Sequence, residues 1–165
     1  MSVKKMTQMS LLTAAALILY IIELRIPTPF PIPGIKLGLA NIITIVAIYR
    51  FKPQETVLLV TARVILGSLF AGSMSAFLFS ACGAFFCLCG MFFMKKFLPD
   101  KNIPLCSVLG AIFHNVGQIT AAVCVMQSLG VLAYLPILIV TGCIAGLFTG
   151  LCARSVDRRL PASFF

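Results

Sequence analysis

Charge is scarce in this chain, and acid scarcer still. Of its 165 residues only 10% are Asp, Glu, Lys or Arg, against about a quarter in a soluble domain. The four acids are Glu23, Glu55, Asp100 and Asp157. No two lie close enough in sequence for the DDxxD pairing that holds diphosphate through Mg2+, and there is no Walker P-loop, Ser/His/Asp set or CxxCH haem site. The chain is not expected to be an enzyme by itself or to carry a cofactor. Trp is absent and His114 is the one histidine. The seven cysteines, Cys82, Cys87, Cys89, Cys106, Cys124, Cys143 and Cys152, show no CxxC spacing, so no metal site is expected. In membrane spans cysteine behaves as a small hydrophobe. A redox role for the Cys82, Cys87, Cys89 cluster would need a bound cofactor visible by absorption.

What is present is apolar. The chain is 61% hydrophobic, with mean hydropathy +1.10, which makes it a polytopic membrane protein. Six apolar segments run about 9–24, 37–49, 56–70, 74–94, 103–126 and 131–153. Each is too long for a buried strand, and helices are the default way to span a bilayer. The expected fold is all-α: one transmembrane domain over 1–165, an integral membrane bundle of six transmembrane helices. The first run lacks a small-residue cleavage site before Glu23 and Arg25 and reads as a retained span. The second has 13 residues, roughly 20 Å of helix against a hydrocarbon core of about 30 Å. It must borrow length from the preceding stretch, or be tilted and shielded by its neighbours.

Basic residues set the orientation. With six spans, Lys4, Lys5, Arg50, Lys52, Lys95, Lys96, Lys101, Arg154, Arg158 and Arg159 fall on one side, and only Arg25 and Lys36 on the other. The positive-inside rule then places both termini in the cytoplasm, in a plasma-membrane protein. The scatter of these cations in short loops encodes topology and gives no reason to expect nucleic acid.

The connector Pro27 to Asn41 is unlike anything else in the chain. Pro27, Pro29, Pro31 and Pro33 alternate, fixing φ and removing donors, so no helix runs through them. Gly34, Lys36, Gly38 and Asn41 follow. Such backbone lies at the surface or folds into protein to line a cavity. It is either a lid over a binding site, with Pro31, Pro33, Gly34 and Gly38 as lid residues, or a rigid spacer.

Polar groups inside spans mark candidate sites, because isolated charge there costs about 2.5–3.5 kcal/mol or more. Arg63 lies near the middle of the third segment, with no acid on its own span. It is either a strut, paired with Glu23 or helix carbonyls, or a receptor for an anionic ligand. In the fifth segment His114 and Gln118 are one turn apart and Asn115 lies 100° round from His114, so all three can point inward. With Lys36 and Asn41 they form the candidate substrate-binding set. Two small-xxx-small faces allow close helix approach. Gly142, Gly146 and Gly150 suit packing within the chain, and Ser10 and Ala14 suit either packing or docking of a partner subunit.

Three blocks in order carry a resemblance: Pro31-Ile-Pro-Gly-Ile-Lys-Leu-Gly-Leu-Ala-Asn41, Arg63-Val-Ile-Leu-Gly67 and Gly110-Ala-Ile-Phe-His-Asn-Val-Gly-Gln118. Over almost the whole chain the sequence resembles the Gx transporter family, often labelled heptaprenyl diphosphate synthase component I. That family in turn is similar to the substrate-binding S components of energy-coupling factor (ECF) transporters. The resemblance implies a loop between the first two helices that closes over substrate, and a first helix that docks a coupling subunit through Ser10 and Ala14. The leading expectation is a membrane substrate-binding and transport subunit for a small anionic molecule, energised by partner ATPases. The alternative is a non-catalytic membrane subunit assisting a soluble heptaprenyl or polyprenyl diphosphate synthase in quinone biosynthesis. Which protein co-purifies separates the two.

Overall fold

The computed structural model describes residues 3–26, 38–98 and 102–160. Among them lie six α-helices and no strand: α1 (Val3–Arg25), α2 (Asn41–Arg50), α3 (Pro53–Ala71), α4 (Met74–Lys95), α5 (Ile103–Met126) and α6 (Leu135–Arg159). A 3-10 segment, Leu129–Tyr134, leads into α6. Five helical stretches are long and apolar enough to cross a membrane, and α2 is a shorter apolar helix. The chain is thus a multi-pass helical membrane bundle.

Local sequence sets the helix ends. Pro53 opens α3, where a missing N–H costs nothing, and the Glu55 carboxylate accepts from the Lys52 N–H at 2.9 Å. Gly72 closes it at φ 63, donating its N–H to the Ser68 carbonyl at 3.0 Å. Ser73 then caps α4, its hydroxyl accepting from the Ala76 N–H at 3.3 Å.

At 10 residues α2 is roughly 15 Å long, about half the hydrocarbon thickness. Its residues from Asn41 to Ile48 are all buried, sheathed by α1, α3 and α6. Shielding by neighbours is how so short a helix is accommodated, because an apolar surface all round must be covered all round.

One end of the bundle is fastened by polar contacts around α2. Arg50 grips Asp157 of α6 through Nε–Oδ1 at 2.6 Å and Nη2–Oδ2 at 3.0 Å. Lys95 of α4 donates to the Ile48 carbonyl at 2.7 Å. Lys5 of α1 pairs with Glu55 of α3 at 2.7 Å. The ends of five helices therefore meet here.

On the other side of the bundle α5 packs between α4 and α6. The Gly142, Gly146, Gly150 ridge of α6 faces α5, where a Cβ on Gly146 would stand 2.7 Å from the Val108 Cα and one on Gly150 2.6 Å from the Pro104 Cα. That ridge is spent on packing within the chain. Ser10 and Ala14 are exposed on α1, whose opposite face buries Met9, Leu12, Ala16 and Tyr20.

Candidate functional site

Arg63 lies ten residues into α3, roughly 15 Å from its start. It is buried, with only 7% of its surface exposed. Its polar neighbours are Cys87 of α4 and Glu23 and Tyr20 of α1, so the guanidinium stands where three helices meet. Tyr20 reaches that position because Gly67, one turn beyond Arg63, leaves space: a Cβ there would lie 3.1 Å from the Tyr20 ring. The Arg63 Nε has no hydrogen-bond partner among the described residues. A buried donor left unmade costs about 1–3 kcal/mol, more on a charged group, so this position is held at a cost.

Glu23 is buried beside Arg63's field and accepts a hydrogen bond from the Gly38 N–H. Gly38 adopts φ 75, a left-handed conformation that glycine takes without strain. Its Cα lies against the Asn41 side chain, whose Nδ2 would be 3.0 Å from an added Cβ. The Gly38 carbonyl in turn accepts from the Asn41 N–H at 2.8 Å. Asn41 and Gly38 are thus brought to the end of α1 at the entry to α2, in one polar chain with Glu23 and Arg63. Pro31, Pro33, Gly34 and Lys36 lie outside the described residues.

The α5 groups divide between two neighbours. His114 packs on α4, where a Cβ on Gly83 would be 2.7 Å from its imidazole. Gln118 is buried one turn further on. Asn115 turns the other way. Its Nδ2 donates to the Leu138 carbonyl of α6 at 2.6 Å, and a Cβ on Gly142 would meet that nitrogen at 2.6 Å. The Asn115 amide donor is committed to joining α5 to α6. Asn115 and Gln118 are both buried, while Asn115 and His114 serve different neighbours.

Tyr20 and Cys87 are the neighbours of Arg63 that sequence reasoning missed. Tyr20 and Glu23 stand three apart on α1, a spacing that shares a helix face, and this was an available signal for Tyr20. Among the described residues no group of three His, Cys, Asp or Glu side chains could hold a metal ion, and all seven cysteines are free.

A multi-pass helical bundle with an apolar core, a buried arginine and a clasped basic end defines a helical membrane protein. A family model described as heptaprenyl diphosphate synthase component I matches residues 12–156, and the chain belongs to that family. No curated protein and no solved structure matches it.

Proposed function

We propose that this chain is the membrane component I of a heptaprenyl diphosphate synthase, non-catalytic by itself, which holds a soluble synthase subunit at the bilayer. The family match over 12–156, which takes in most of all six helices, carries this reading. The chemistry agrees with it. The chain's four acids include no aspartate-rich pair for diphosphate–Mg2+ ligation, so catalysis belongs to a partner. The bundle is taken to sit in the plasma membrane, crossed by the five long helical stretches with α2 buried among them, and with the end that carries the Arg50–Asp157 and Lys5–Glu55 pairs in the cytoplasm, where a soluble subunit would meet it. Affinity purification of the tagged full-length chain from mild detergent tests this. A soluble prenyltransferase is expected to co-purify, and its retention on membranes should depend on this chain. Recovery of a coupling subunit with ATPases in its place would overturn the reading.

One observation favours a second reading, a substrate-binding and transport subunit of the S-component kind. It is the buried Arg63 with its unused Nε, a guanidinium placed to receive an oxyanion, with His114, Gln118, Asn41 and Lys36 as further candidate contacts. The likeness to energy-coupling factor transporters rests on the sequence alone, so the synthase subunit stands first.

A further inference from the structure

The seam between α3 and α4 is not closed. A groove of about 380 Å3 runs along it, lined by Val57, Val64 and Ile65 of α3 and by Ala84, Leu88 and Phe92 of α4. That volume falls within the roughly 300–1,000 Å3 of small-molecule sites. Thr61 is the one hydroxyl-bearing residue among those lining it. Ala84, Leu88 and Phe92 recur every four residues on one face of α4, with the short Ala84 side chain lowering the floor between bulkier neighbours. The result is a single apolar slot running along the helices.

Charge gives the slot a direction. It ends near Val57 and Phe92, at the basic end of the bundle. Lys96 follows Phe92 by four residues, one turn on along the same face, and Lys52 stands at the start of α3, five residues before Val57. Both lysines are exposed. The acid at this mouth, Glu55, is held by Lys5 at 2.7 Å. Lys95 is turned inward onto the Ile48 carbonyl, which leaves Lys52 and Lys96 as the exposed cations next in sequence to that end of the slot.

We propose that this groove holds the hydrocarbon chain of a polyprenyl diphosphate, with its diphosphate at Lys52 and Lys96. The proposal rests on the synthase-subunit reading and names the ligand that reading calls for. One slot takes one chain, whereas a bilayer phospholipid brings two, and two lysines at the mouth match the charge of a diphosphate better than that of a single phosphodiester. Held this way, a product too apolar for water would pass from the soluble subunit into the membrane along the α3–α4 seam.

The test uses the full chain in phosphatidylcholine nanodiscs and a diazirine-bearing polyprenyl diphosphate, with adducts mapped by mass spectrometry. Adducts are expected on the lining residues of α3 and α4, competed by unlabelled heptaprenyl diphosphate and not by phosphatidylglycerol at the same concentration. Thr61→Trp fills the slot from an exposed position and should cut labelling about tenfold. The pair Lys52→Gln and Lys96→Gln should weaken competition by heptaprenyl diphosphate about tenfold or more, as expected for lost charge-assisted contacts. Ile144→Trp, on the exposed face of α6, should change nothing, and an unchanged melting transition shows that each variant is folded. Equal competition by phosphatidylglycerol, or adducts on α6 as dense as on the groove, would overturn the proposal in favour of ordinary lipid. Labelling abolished when a partner protein binds would overturn it in favour of a protein interface. Groove labelling with no synthase co-purifying would sink the subunit reading and leave the prenyl site standing.

Discussion

Gly38 donates its backbone N–H to the carboxylate of Glu23, so the last turn of α1 holds the entry to α2 across 15 positions of sequence. The same carboxylate attracts Arg63. One buried acid therefore joins the end of the proline-rich connector to the one cation placed deep in α3.

Glu23→Gln keeps an acceptor for Gly38 while removing the charge opposite Arg63; Glu23→Ala removes both. The first should lower stability by about 1–3 kcal/mol, and the second by more. Limited proteolysis near Gly38 should rise only for alanine. Equal cleavage of the two variants would show that the hydrogen bond does not hold the connector.

Arg63→Leu leaves Glu23 buried without the positive charge that acts on it and should lower stability by about 0.5–3 kcal/mol. Adding Glu23→Leu should recover part of that loss, with a coupling of about 0.5–3 kcal/mol in a double-mutant cycle. Strictly additive melting data would mean that the two charges do not sense each other.

Gly83→Ala places a methyl group against the His114 ring and should destabilise the bundle by about 1–3 kcal/mol through overpacking. His114→Ala in the same chain should relieve much of it. No relief would put the imidazole elsewhere.

Both termini are expected in the cytoplasm. In a cysteine-depleted background, a thiol reagent applied outside whole cells should modify a cysteine at Thr28 and spare one at Asn102. The opposite pattern would invert the topology and remove the positively charged end from the face a soluble subunit meets.

Ser10→Leu with Ala14→Leu alters an exposed stripe of α1. The doubly substituted chain should fold normally and lose much of its co-purifying partner. Undiminished recovery would assign docking to another surface.

The helices were legible because apolar runs and the Pro and Gly residues between them are local signals. The 13-residue apolar segment of α2 left two ways out, length borrowed from the preceding stretch or tilting and shielding, and the burial of Asn41 to Ile48 shows the shielding. Arg63 was legible as costly wherever it pointed, and Glu23 as an acid to set against it. The neighbours were harder. Cys87 meets Arg63 only because α4 packs on α3, and sequence carries no direct record of which helices adjoin. Asn115 shows the same limit: 100° of rotation from His114 takes its amide to α6, a turn whose meaning depends on where α4 and α6 stand.

The burial of α2 also bears on how the protein is made. A ten-residue helix is too short to be taken into the membrane on its own apolarity, and part of its cover is α6, whose Asp157 clasps Arg50 from 107 positions along the chain. While α6 is still unmade, α2 lacks one wall, and Arg50 at its end lacks the Asp157 carboxylate that holds it. Full cover of α2 therefore waits for the last helix. A chain truncated within α6 would leave the second helix uncovered on that side, and damage to the Arg50–Asp157 clasp is expected to lower the yield of assembled protein.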